Sequence, residues 1–158
     1  MAHSIEPSQW EELYREHFPR LYRGLLVVVR DRDRALDALH DAFLEGLRHP
    51  PRHEVNLVGW IYRVAIRRVG HQTRPPLTRL LQQPLADDEL EQLLARIEVD
   101  GLLKSLSERQ RAIVIAQYYL GLEQREIAAL FRIRLGTVSA TLAKAKAKMR
   151  AEAHHATC

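Results

Sequence analysis

Only one cysteine occurs in the 158 residues, Cys158 at the last position, so no internal disulfide can form and no thiol has a catalytic partner nearby. Long apolar runs are missing as well. None approaches the roughly 18 residues of a membrane span, and membrane insertion is not expected. The N-terminus lacks the basic-then-apolar pattern of a secretory signal, which makes a cytoplasmic protein the expectation. The eight histidines are scattered, with no HExxH and no Cys/His cluster; neither a metal site nor a cofactor is expected. No nucleophile, metal cluster or phosphate loop accompanies the carboxylates, which argues against an enzyme. Strand signals, repeats and low-complexity runs are absent too.

What is present is a soluble, globular composition, 46% hydrophobic and 28% charged. The net charge of +4 is unevenly spread. Residues 107–150 hold nine Lys/Arg against three Asp/Glu, whereas residues 77–106 hold three against six. The positive charge therefore concentrates in the C-terminal third, as an electrostatic footprint for phosphate would.

Helical periodicity runs through most of the chain. Trp10, Leu13, Tyr14, Phe18, Leu21, Tyr22, Leu25, Val28 and Val29 recur at three- and four-residue steps. Pro19 falls inside this pattern and is expected to break or kink it. Asp31–Asp33 caps a second helix, with Leu36, Leu39, Ala42, Phe43 and Leu47 as its apolar stripe, ended by His49-Pro50-Pro51. Asn56 caps a third, with Leu57, Trp60, Ile61, Val64 and Ala65 inward and Pro75-Pro76 closing it. Trp60 and Tyr62 lie two apart and cannot face one core together; the expected arrangement buries Trp60 and leaves Tyr62 at the surface.

The expected architecture is all-α, in two small helical domains. A bundle covers 8–74, a linker 75–88, and a second helical domain 89–151. The linker combines Pro75, Pro76 and Pro84 with Asp87, Asp88 and Glu89, and a helix carrying Leu90, Leu93, Leu94 and Ile97 follows it. Ser107 with Gln110 forms a capping box before Ile113, Val114 and Tyr118. Gly121 suits a left-handed C-cap. A short helix with Ile127, Ala128 and Leu130, a tight turn at Arg132–Arg134, and a long basic helix from Leu135 to Arg150 complete a helix-turn-helix. Lys144 and Lys148 share one face of that last helix, Lys146 and Arg150 another, so one row can follow phosphates.

Taken in order, these motifs resemble a known family. Leu106-Ser-Glu-Arg-Gln-Arg111, Tyr119-Leu-Gly-Leu122, Glu126-Ile-Ala128 and Gly136-Thr-Val138 are similar to region 4 of bacterial sigma factors. Asp37-Ala-Leu-His-Asp-Ala-Phe-Leu44 and Trp60-Ile-Tyr-Arg-Val-Ala65 are similar to region 2. The chain, over about residues 10–150, thereby resembles the extracytoplasmic-function sigma factors, which consist of region 2 and region 4 only.

That resemblance implies partners and roles. It implies core RNA polymerase as partner, held through the β′ clamp coiled coil and the β flap, with Asp37, His40, Asp41 and Glu45 docking on the clamp. It implies promoter DNA as well. Asn56, Trp60, Tyr62, Arg63, Arg67 and Arg68 would contact the −10 element, where a flipped base is captured. Arg132, Arg134, Thr137, Ser139, Thr141, Lys144 and Lys148 would contact the −35 element. An anti-sigma factor is the further partner implied. The chain departs from the region 4 pattern at Arg132, where the family has Gly, at Arg134, where it has Ser or Thr, and at Thr141, where it has Arg. Loss of arginine at Thr141 removes bidentate guanine reading there. Two rival readings of the same residues are a sigma-like decoy that binds an anti-sigma factor or polymerase without reading promoters, and a dimeric helix-turn-helix repressor.

Overall fold

A computed structural model of the chain describes residues 5–51, 56–70, 100–103 and 105–156. The described residues are helices and their connections, and the chain divides into two compact units, Met1–Leu81 and Gln82–Cys158. The expected linker and the helix expected at Leu90–Ile97 lie outside the described residues.

In the N-terminal unit, α1 spans Pro7–Val29, α2 Arg32–Arg48 and α3 Leu57–Gly70. Pro7 opens α1 at a position where its missing N–H costs nothing, and Gln9 reaches back to the Glu6 amide at 3.0 Å. Contrary to the expected break, α1 runs unbroken through Pro19. The proline lies on the exposed side, where the carbonyl it leaves without an amide partner can turn to water. The buried residues beyond it (Leu21, Tyr22, Leu25, Val28 and Val29) anchor the second half of the helix.

Arg30 then takes a left-handed conformation (φ 59°), and its amide donates to the Leu26 carbonyl at 2.8 Å. Asp31 follows at once as the cap of α2, accepting from the Arg34 amide at 3.1 Å. The chain reverses within two residues because one ends a helix and the next begins another.

The buried face of α2 is Ala35, Ala38, Leu39, Ala42, Phe43 and Gly46. This departs from the expected stripe: Leu36 is half-buried and Leu47 is 53% exposed. Four of the six buried residues are small, which lets the helix axes approach; Leu39 and Phe43 are the large residues of the face. At Gly46 the Trp10 ring stands where a side chain would begin, 2.3 Å from the position of a Cβ.

Asn56 caps α3, accepting from the Gly59 amide at 3.1 Å. Here the expected orientation is reversed. Tyr62 is fully buried, whereas Trp60 is half-buried, edge-on to Trp10 with centroids 6.2 Å apart. The inward stripe is Gly59, Ile61, Tyr62, Ala65 and Val69, one step round the helix from that expected. Burial pushes the Tyr62 hydroxyl well above its ordinary pKa, so it stays protonated.

Among the described residues of the C-terminal unit, the first element is a 3₁₀ turn, Asp100–Leu103. Next comes α4 (Glu108–Val114), whose capping box closes through Ser107 Oγ on the Gln110 amide (3.1 Å) and Gln110 Oε1 on the Ser107 amide (3.0 Å). α4 widens into a π-helical turn at Ile115–Tyr119, with the Leu120 amide donating to the Ile115 carbonyl. The wider turn rotates the following side chains, so Ile115, Ala116 and Leu120 are buried. Tyr118, expected in the apolar run, is instead 53% exposed.

Gly121 sits at φ +71°, and α5 (Gln124–Phe131) follows. Arg132 takes the left-handed turn position at φ 53°, a conformation that costs a residue with a side chain roughly 1–2 kcal/mol. α6 runs Leu135–Ala156 and closes the core with Val138, Leu142 and Ala145 against Ile113, Leu122 and Ile127.

Candidate nucleic-acid and protein interfaces

The outward side of α2 carries Asp37, His40 and Asp41 together, each half-buried. His40 is held from α1: its ring lies over Phe18 (centroids 5.1 Å, 27°), and its Nε2 is 3.4 Å from the Tyr14 hydroxyl. Burial lowers the His40 pKa below its ordinary 6.5, and Asp37 and Asp41 pull the other way. Desolvation also raises the Asp37 carboxyl, helped by Asp41 and opposed by His40. The surface therefore presents two acidic side chains around an imidazole whose charged form burial disfavours.

Glu45 does not share that arrangement. Its carboxylate faces Arg68 of α3 at 3.0 Å and His49 at 3.6 Å. The residues expected to dock together thus split: Asp37 and Asp41 remain as an acidic pair, and Glu45 joins α2 to α3. Leu44 and Leu47, both exposed, continue the same side of α2. Sequence reasoning missed them, although their three- and four-residue steps from His40 and Asp41 were the available signal.

On α3, the residues expected to meet DNA are not equivalent. Tyr62 is inside the core and offers no ring to a base. Trp60 keeps part of its ring accessible, and Arg63 is half-buried with a partner of its own. Arg67 is exposed, and Arg68 is committed to Glu45. Asn56 spends its side-chain oxygen on the Gly59 amide. Residues 52–55 of the loop before α3, and Arg74 after it, lie outside the described residues.

In the C-terminal unit, Arg132, Arg134, Thr137 and Lys144 are exposed around the first turns of α6. Ser139 is exposed, but its hydroxyl donates to Gln124 Oε1 at 2.7 Å, tying α6 to α5. Thr141 donates to the Thr137 carbonyl at 2.8 Å. The two lysines expected to act as one row separate: Lys148 donates to Gln110 Oε1 at 3.2 Å, whereas Lys144 lines an open groove with Arg109, Gln110, Thr137, Ala140 and Thr141. Lys146 stands over the Tyr118 ring, 5.6 Å from its centre. Arg109 is the residue sequence reasoning overlooked. It sits just after the cap of α4, a position that pointed it toward α6.

A helix-turn-helix whose second helix opens among arginines occurs in one chain with a three-helix unit that has an acidic face, and known proteins are similar to this chain. Residues 96–149 match the family described as Sigma-70, region 4. The chain is 28% identical over 149 residues to the ECF RNA polymerase sigma factor SigM of Mycobacterium tuberculosis, covering 89% of this chain and 74% of that one. It is 25% identical over 158 residues to SigL of the same organism, covering 89% and 86%. Among solved structures, that of CnrH in complex with the cytosolic domain of CnrY has a similar fold: TM-score 0.70 and 20% identity, with 98% of this chain and 93% of that one covered. The chain is thus a homologue of the ECF sigma factors with a region 4 domain, an alternative sigma factor that directs transcription. No helix among the described residues is long and apolar enough to cross a membrane.

Proposed function

We propose that this sigma factor acts in the cytoplasm by binding core RNA polymerase, with the N-terminal unit serving the −10 element and the C-terminal unit the −35 element. It performs no bond chemistry of its own. The observation that carries the reading is the α2 surface, where Asp37 and Asp41 flank His40 beside exposed Leu44 and Leu47. A basic amphipathic helix, such as one strand of the β′ clamp coiled coil, complements it in charge and apolar contact. Trp60 and Arg67 supply the N-terminal unit with a stacking ring and a phosphate contact, while Arg109, Arg132, Arg134 and Lys144 supply the C-terminal unit's grip on duplex DNA. The remaining surface of that unit is assigned to the β flap.

A regulatory protein that holds the factor inactive, an anti-sigma factor, is also proposed; CnrH, of similar fold, was solved with a cytosolic domain of CnrY bound. The decoy reading has one observation in its favour, the internal commitment of the Ser139 and Thr141 hydroxyls.

Binding to purified core polymerase tests the docking surface. Replacing Asp37 and Asp41 with Lys is expected to weaken it by about tenfold or more. Unchanged affinity in a folded double variant would contradict the assignment.

A further inference from the structure

Two faces of the N-terminal unit meet in one ion pair. On α2, Asp37, Asp41 and Glu45 follow at four-residue steps, each turning about 40° round the helix. Glu45 therefore continues the acidic row at its far edge. On α3, Arg67, Trp60, Val64 and Arg68 fall within an arc of about 100°. That arc contains no member of the buried stripe, Gly59, Ile61, Tyr62, Ala65 and Val69.

The Arg68 guanidinium donates to Glu45 Oε2 at 3.0 Å, which ties the edge of one face to the edge of the other. Both side chains stay within reach of a partner, Glu45 at 32% and Arg68 at 45% exposure. The second Glu45 oxygen faces His49 at 3.6 Å. A carboxylate bonded to Arg68 has less to offer a basic helix, and a guanidinium bonded to Glu45 has less to offer a phosphate. An ion pair this exposed contributes little stability, so each half can be exchanged for another partner.

We propose that the Glu45–Arg68 pair is a latch. In the free chain it withholds one carboxylate from the α2 docking face and one cation from the α3 DNA face, and either partner opens it by taking its own half. The proposal rests on the assignment of the α2 face to a basic protein helix and of the α3 face to DNA. Opening by one partner frees the residue the other needs, so the two bindings favour each other through a single contact. The size of that coupling is that of one exposed ion pair, about two- to fivefold in affinity.

Two binding measurements on the full chain test the latch, with wild type, Glu45→Ala, Arg68→Ala and the double variant, each checked for folding by circular dichroism. On a labelled single-stranded oligonucleotide of random sequence, Glu45→Ala is expected to bind about two- to fivefold more tightly than wild type. Its salt slope should steepen by about 0.7, one further phosphate, and adding Arg68→Ala should remove the gain. On purified core polymerase without DNA, Arg68→Ala is expected to bind about two- to fivefold more tightly, and adding Glu45→Ala should remove that gain. A gain that persists in the double variant on either probe would overturn the latch, because it would reflect net charge alone. Unchanged strand binding in Glu45→Ala, or unchanged or weaker polymerase binding in Arg68→Ala, would overturn it too. These outcomes leave the two assigned faces standing. The faces fail, and the latch with them, if wild type binds neither probe or if the folded Asp37→Lys, Asp41→Lys double variant keeps its polymerase affinity.

Discussion

At the scale of single residues, three positions carry consequences that can be measured. Gly46 has no room for a side chain because the aromatic face of Trp10 occupies the space, and a rigid indole inside a packed core cannot swing aside. Gly46→Ala is therefore expected to cost about 1–3 kcal/mol by overpacking, read as a lowered thermal midpoint in circular dichroism. Arg132 holds a left-handed turn that glycine adopts without strain. Arg132→Gly relieves that strain and loosens the unfolded chain, so the two effects nearly offset and a net gain of at most about 1 kcal/mol is expected. The same substitution removes an exposed cation, so DNA affinity should fall even as stability holds or rises; a clear loss of stability would contradict the turn assignment.

His40 gives a pH dependence with a definite sign. Burial lowers its pKa in the folded state below the ordinary 6.5, so the unfolded chain takes up a proton first as pH falls. Stability attributable to this histidine is present above about pH 6.5 and lost progressively below it. The raised Asp37 carboxyl acts in the opposite sense, but nearer its own ordinary value of 3.8. Thermal midpoints between pH 7.5 and 5.5 should decline in the wild type and decline less in His40→Gln. Parallel declines in the two proteins would show that His40 does not set this dependence.

At the scale of elements, the starts of helices were legible because they are written in local chemistry. Asp31, Asn56 and the Ser107/Gln110 box each cap where their residue types predict. Gly121 likewise marks a turn. What escaped the sequence depends on contacts between elements. Trp60 and Tyr62 have similar claims on a core, and only the packing of α3 against α1 and α2 decides that Tyr62 enters it. The π turn at Ile115–Tyr119 has no residue signature, and it turned Tyr118 outward. Leu47 was misplaced because small residues, Ala35, Ala38, Ala42 and Gly46, share the inward face of α2 with Leu39 and Phe43 and do not mark it in the hydrophobic pattern.

The candidate DNA-contact residues on α6 show the same division. Periodicity grouped Lys144 with Lys148, but Lys148 is drawn to the capping glutamine of α4 and Lys144 is left in the open groove. Lys144→Ala should weaken DNA binding uniformly across sequences and flatten its salt slope by about 1. Lys148→Ala should leave the slope nearly unchanged. Equal flattening by both would restore the single phosphate row.

At the scale of the molecule, charge separation organises the assignment. One unit presents a carboxylate pair with exposed leucines, the surface proposed for a basic protein helix. The other presents arginines and a lysine around the first three turns of a long helix, the surface proposed for phosphates. The order of motifs makes both units recognisable from sequence alone, while the placement of Glu45 against Arg68 is not, since it joins side chains 23 residues apart. If the two surfaces act together in promoter-directed initiation, run-off transcription with purified core polymerase reads that joint action directly. Transcripts are expected from a discrete subset of promoter fragments, dependent on the chain and lost in the Asp37→Lys, Asp41→Lys double variant. Tight binding to core polymerase with no transcript from any fragment would contradict joint action and leave the decoy in its place.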